Sequence, residues 1–124
     1  MTESMRYRPD EVVSGMLASV ELDSFTSDLN TLGEVFKELG ERFLMFRAFA
    51  SADPRVSLAP AAQDALKALV GGGFVQHEAG QRYVLTPQGR AHCITSKQTL
   101  FNRADVAQLE EAARLFEARC AVTG

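Results

Sequence analysis

The residues of this chain that could perform chemistry are few. His77, His92, Cys93 and Cys120 are all of its histidines and cysteines. A structural zinc site draws four ligands, usually in closely spaced pairs. These four show no such pairing, so no metal site is expected. Cys93 directly follows His92, and neighbours on a helix point about 100° apart. The adjacent thiol and imidazole therefore do not form a nucleophile–base pair. Cys93 and Cys120 read instead as small buried apolar residues. Gly71-Gly72-Gly73 has the composition of a phosphate loop but the wrong context. Phosphate loops run from strand to glycines to helix, so that helix N-terminal N–H groups face the anion. Here the glycines end a helical pattern and precede a strand pattern, which makes them a helix stop and turn. The carboxylates fall on helix exteriors without distinctive pairing. The expectation is a protein that is not an enzyme and holds no cofactor.

Charge is the next chemical signal. The net charge is −3, unevenly distributed. Between Pro9 and Arg42, eight acids face only Lys37 and Arg42, a sum of −6. Between Ala79 and Ala104 there is no acid, and Arg82, Arg90, Lys97 and Arg103 give +4 beside His92. Such asymmetry bears on partners more than on fold. It fits a basic surface for nucleic acid or an acidic protein, and equally two halves that neutralise each other.

The elements that position these groups follow from length and pattern. A chain of 124 residues is one domain's worth. Its folded surface should be about 6,500 Å² against about 20,000 Å² for the open chain, enough burial to fold without disulfides. With 46% hydrophobic and 23% charged residues, it is neither disordered nor a cysteine scaffold. No apolar run approaches the roughly 20 residues of a membrane span. Met1 to Asp10 lacks a signal-peptide core, and the expected address is the cytoplasm.

Residues 1–9 read as a flexible lead-in. Asp10–Val20 reads as a short helix with Val13, Met16, Leu17 and Val20 on one face, weakened by Ser14 and Gly15. Phe25, Leu29, Leu32, Phe36, Leu39, Phe43 and Phe46 then follow at alternating spacings of four and three. That stripe predicts one long helix from Ser24 to Phe49, as a core spine or in part a dimer seam. Gly33 and Gly40 lie on one line of it, where another helix could approach closely. Ser51-Ala52-Asp53-Pro54 is a break, and Arg55–Leu58 is ambiguous. Pro60 opens a third helix to Val70, with Ala62, Ala65, Leu66, Leu69 and Val70 inward. Phe74–Glu78 and Arg82–Thr86 predict two antiparallel strands joined by Ala79-Gly80-Gln81. Thr86 caps and Pro87 begins a helix to Ile94, Ser96–Asn102 connects, and Ala104–Ala121 forms the last helix. Its face of Val106, Leu109, Ala113, Phe116 and Cys120 must pack on the body or on a second subunit. The result is one mainly α domain over 1–124 with a small two-stranded hairpin. A helical part covers 10–50, a core 58–95 holds the hairpin within 74–86, and a packing or dimerisation helix covers 104–121.

Residues Ala65-Leu66-Lys67-Ala68-Leu69-Val70, then Gly73-Phe74-Val75, then Tyr83-Val84-Leu85-Thr86-Pro87-Gln88-Gly89-Arg90 resemble the winged helix-turn-helix superfamily, in the PadR-like and MarR-like pattern. The resemblance covers residues 59–94. It implies that Pro60–Val70 is a recognition helix, with Ala79-Gly80-Gln81 as wing tip, Arg82 flanking the wing and Arg90 in the following helix. It also implies a homodimer joined through terminal helices, here Val106, Leu109, Ala113, Phe116 and Cys120. The first functional expectation is a DNA-binding transcriptional regulator. Gln63 and Lys67 would enter the major groove, with Arg82, Arg90, Lys97 and Arg103 on phosphates. The recognition helix offers only Gln63, Asp64 and Lys67 among alanines, and the Ser51–Ser57 link before it is long for a helix-turn-helix. The alternative is therefore a non-enzymatic protein–protein interaction or assembly module on the same fold, with the Ala-rich face of Pro60–Val70 or the Phe stripe of the long helix covered by a partner chain.

A second set of residues is Glu38-Leu39-Gly40-Glu41-Arg42-Phe43, Val56-Ser57, Ala65-Leu66 and Gly73-Phe74-Val75. It looks like the non-catalytic C-terminal region of bacterial glycerol-3-phosphate acyltransferases. Their catalytic motif places Asp five positions after His, whereas Arg82 follows His77 and Lys97 follows His92 at that distance. This resemblance implies a helical accessory part without acyl transfer.

Overall fold

A computed structural model describes residues 7–50 and 58–121. Most of the expected lead-in, the break at Ser51-Ala52-Asp53-Pro54 and residues 55–57 lie outside the described residues. The elements run α1 (Pro9–Ala18), β1 (Ser24–Thr26), α2 (Leu29–Arg42), a 3₁₀ helix (Leu44–Phe49), α3 (Pro60–Gly71), β2 (Val75–Glu78), β3 (Arg82–Leu85), α4 (Pro87–Leu100) and α5 (Arg103–Cys120).

Helix α1 starts at Pro9, whose missing N–H costs nothing in a first turn. Asp10 and Glu11 complement its N-terminal dipole, and Arg8 N donates to Glu11 Oε1 at 2.9 Å. Ser14 and Gly15 are both buried, and Gly15 lies at a crowded point of the helix. A Cβ on Gly15 would sit 2.7 Å from Leu109 Cδ1 and 2.9 Å from the Phe101 ring. The small residues let α5 close on α1.

The long helix expected over Ser24–Phe49 does not form, and local chemistry explains why. Ser24, Phe25 and Thr26 pair antiparallel with Val84, Tyr83 and Arg82. Asp28 then accepts from Thr31 N at 3.0 Å and from Thr31 Oγ1 at 2.7 Å, which sets the start of α2. These two hydrogen bonds also hold the Asp28 carboxyl below its ordinary range. At the other end Phe43 is extended, and the 3₁₀ helix folds Phe46 and Phe49 back onto α2. Gly40 admits this return rather than a separate helix: a Cβ there would lie 2.7 Å from Ala50 N and 2.9 Å from Phe46 O. The Phe36 and Phe49 rings meet edge to face at 5.1 Å. Leu29, a member of the stripe, remains 55% exposed.

The expected hairpin is present, joined by residues 79–81, but it is two-thirds of a sheet. Strand β1 adds to the other side of β3, giving three antiparallel strands in the order β1-β3-β2. Helix α3 ends in the glycines as expected, with Gly72 at the cap and Gly73 at φ +78°. Thr86 Oγ1 accepts from Gly89 N at 2.9 Å and starts α4. That helix runs through Leu100, six residues beyond expectation, because Ser96–Leu100 carries no apolar periodicity to reveal it. Asn102 caps α5 by accepting from Asp105 N at 2.8 Å. The core lies between α1, α2, α5 and the 3₁₀ helix, around Phe36, Phe46, Phe49, Phe116, Met16 and Leu109. Among the described residues, no helix is long and apolar enough to cross a membrane.

Candidate interaction groove

The sheet carries a row of aromatic rings outward from the core. Phe116 meets Phe25 at 5.1 Å, Phe25 meets Tyr83 at 5.4 Å, and Tyr83 meets His77 at 4.9 Å. The row exists because Phe25 and His77 both stand opposite Tyr83 in the strand register. Phe25 is buried, Tyr83 half-buried and His77 exposed. The row thus ends at the surface, where His77 Nε2 shares a hydrogen bond with Ser27 Oγ at 3.0 Å.

Facing this end of the row is the outer side of α3. Between them opens a groove of about 420 Å³, within the roughly 300–1,000 Å³ of ordinary ligand sites. Leu29, Leu58, Leu66, Val70 and Tyr83 make it mostly apolar, and Gln63, Lys67 and His77 supply its polar side chains. Val70, expected inward, is 40% exposed and forms part of this wall. Gln63 is anchored by donating to the Leu58 carbonyl at 2.7 Å. Lys67 is exposed and makes no ion pair among the described residues. The Ser27–His77 pair has a nucleophile–base geometry, yet no carboxylate holds the ring's other nitrogen among the described residues. The pair positions His77 over the groove.

The cations expected on phosphates sit elsewhere and are largely engaged. Arg90 Nη1 donates to the carbonyls of Val20 at 2.7 Å and Leu17 at 3.2 Å. Its Nη2 donates to Leu22 O at 3.2 Å and Asp23 Oδ1 at 2.6 Å. Arg90 thereby satisfies carbonyls left open where α1 ends and ties them to α4. Arg82 pairs with Glu78 at 3.6 Å across the hairpin, and Lys97 with Glu110 at 3.3 Å between α4 and α5. Arg103 is exposed at the start of α5 without an ion pair among the described residues. Gln63 and Lys67 share the groove; Arg82, Arg90, Lys97 and Arg103 do not line it.

The face expected as a dimer seam is filled by the chain's own core. Leu109, Ala113, Phe116 and Cys120 are fully buried, and Val106 is partly buried against the same cluster. Of the two alternatives for α5, the helix packs on the body.

Comparison of the chain with family models, curated proteins and solved structures gives no match.

The histidines and cysteines are dispersed. His92 stacks on Phe74 at 4.0 Å with the rings nearly parallel. Burial pushes the Cys93 thiol up to about 11, outweighing its hydrogen bond with Ser14 and the charge of Arg90. Burial pushes Cys120 up to about 12 against the charge of Arg119. Both thiols are protonated and inaccessible at neutral pH. Among the described residues, no group of three or more His, Cys, Asp or Glu could hold a metal.

Sequence reasoning missed Leu29, Leu58, Val70, His77 and Tyr83 as site residues. Leu29 reads as a member of the Phe25–Phe46 stripe, and only the fold shows that Asp28 caps a helix that begins at Leu29. Tyr83 and His77 carried no signal, because their meeting depends on strand register.

Proposed function

We propose that this protein is a non-enzymatic interaction module that takes a segment of a partner protein into the groove between α3 and the hairpin. Its body is of winged-helix type. The element order α1-β1-α2-α3-β2-β3-α4, with β3 central in the sheet, supports that reading. The observation that carries the function is the character of the concavity between α3 and the hairpin. In a DNA reader of this type that surface is polar and basic. Here it is walled by Leu29, Leu66, Val70 and Tyr83 and holds a single lysine. Arg82, Arg90 and Lys97 meanwhile hold the chain's own carboxylates. An exposed apolar groove of this kind is a surface for another molecule.

Fluorescence anisotropy with pooled genomic DNA fragments at 50 and 200 mM salt tests the choice between readings. The module reading is expected to give no DNA binding at either salt. Tight binding that weakens by several orders of magnitude across that range would make it a phosphate-contacting regulator instead. In parallel, immobilised protein selects binders from a phage-displayed library of random peptides. Selected peptides are expected to be lost on Val70→Asp, which places a charge in the groove wall. Selection of nothing, or of peptides indifferent to Val70→Asp, would remove the groove as the interaction surface.

A further inference from the structure

Resting on the module reading, we infer that the partner segment is acidic and apolar at once. One or two large aliphatic or aromatic side chains enter the groove, and an adjacent carboxylate meets Lys67.

The argument is one of charge complementarity. The chain is acidic overall, yet among the described residues no aspartate or glutamate lines the groove. Six described cations, Arg8, Arg42, Arg82, Arg90, Lys97 and Arg119, pair with acids of the chain. Lys37, Arg47, Arg103 and Arg114 make no such pair among the described residues, but none of them lines the groove. Lys67 stands on the groove-facing side of α3 with no such partner among the described residues. Asp64, one turn earlier on α3, is exposed and lies outside the lining. The carbonyls at the C-terminal end of α3 would repel an anion if left open. Three of the last four are capped: Ala68 O accepts from Gly72 N at 3.0 Å, Leu69 O from Phe74 N at 3.0 Å, and Val70 O from Gly73 N at 3.1 Å. What an entering segment meets is therefore an apolar wall with one fixed positive charge at its side. His77 and Gln63 add hydrogen-bonding atoms at the rim. A basic segment would set like charge against Lys67 while gaining only the wall. A neutral apolar segment would leave the ammonium unmatched. A carboxylate one turn or two strand positions from the apolar anchor satisfies both features, and such pairs favour specificity more than raw affinity.

Charge reversal at Lys67 provides the test. Lys67 is exposed, so Lys67→Glu and Lys67→Met fold as the parent does, which circular dichroism checks. The same phage library is selected on the parent and on Lys67→Glu, and chosen peptides are synthesised with Asp or Glu replaced by Gln or Lys. The parent is expected to enrich peptides that place Asp or Glu within four positions of Leu, Ile, Phe or Tyr. Replacing that acid by Gln weakens binding about fivefold, the upper range for an exposed ion pair. Lys67→Glu is expected to enrich Lys or Arg at the same place, and Lys67→Met to lose charge preference altogether. Peptides that need Val70 but show no charge preference on the parent would overturn the acidic partner while leaving the module intact. Selection of nothing would overturn both. A concentration-dependent dimer abolished by Val70→Asp would put a second copy of the chain in the groove and overturn the inference as well.

Discussion

At the junction of α1, β1 and α4, Arg90 donates to three carbonyls and to Asp23, so its own guanidinium is answered by the chain itself. Lys67 faces an apolar groove and makes no ion pair among the described residues. Both cations lie on helices that a sequence reading assigns to one nucleic-acid surface. The first closes the fold and the second is left open to a partner. The difference teaches that a basic residue's role depends on which orphan groups the fold places near it. The end of α1 leaves carbonyls that a planar guanidinium satisfies together, whereas the middle of α3 leaves none.

The largest effect that could break this contrast concerns how tightly the junction side is built. A Cβ on Gly89 would lie 1.8 Å from the backbone oxygen of Phe74, and neither backbone can yield cheaply. Gly89→Ala is expected to lose about 3 kcal/mol or more in urea unfolding. A loss under about 1 kcal/mol would show that α4 and the hairpin are not locked together.

Next comes Arg90 itself. Arg90→Met keeps much of the stem and removes the guanidinium, leaving the carbonyls of Val20 and Leu22 without its hydrogen bonds and Leu17 O with Val20 N alone. The expected cost is about 2 kcal/mol, with Arg90→Lys recovering only part because an ammonium cannot span the same set. Stability unchanged in Arg90→Met, together with lost DNA binding, would reverse the contrast and return Arg90 to a phosphate.

The thiols sharpen the comparison through pH. Cys93, beside Ser14 under this junction, titrates at about 11, and Cys120 at about 12, both above the ordinary value of 9.0. A thiol raised by folding contributes stability below its unfolded value and loses it as pH rises toward the folded one. Stability is therefore expected to fall between about pH 9 and 12, less steeply in Cys93→Ala, and a thiol reagent at pH 7 should label neither cysteine before unfolding. Prompt labelling of Cys93 would mean that the junction opens.

The smallest effect is expected at the groove. Lys67→Ala should change stability by less than about 0.5 kcal/mol, since an exposed side chain without a partner supports nothing in the fold. A larger loss in urea unfolding would give Lys67 a structural partner and erase the difference between the two sides.

Much of this architecture was written locally. Pro9, Pro60 and Pro87 open helices, Thr86 caps one, the three glycines stop another, and a three-residue loop makes the hairpin. These signals act within a few residues, through hydrogen bonds and backbone sterics, so the sequence by itself determines them. The heptad spacing from Phe25 to Phe46 misled because spacing counts residues, not conformations. A strand residue, a helix and a 3₁₀ turn met the same count, and strand pairing with β3 and the ring cluster at Phe49 decided among them. The heptad face of α5 was legible as apolar, but only packing against α1 and α2 showed that the chain buries it internally. The groove was decided by tertiary structure alone. Leu29, Leu58, Val70, His77 and Tyr83 belong to separate segments, and their convergence with Lys67 rests on strand register and on the seating of α3. Composition could count the lysines and arginines. Which of them the fold would use, and which it would leave facing outward, depended on distances that exist only once the chain is closed.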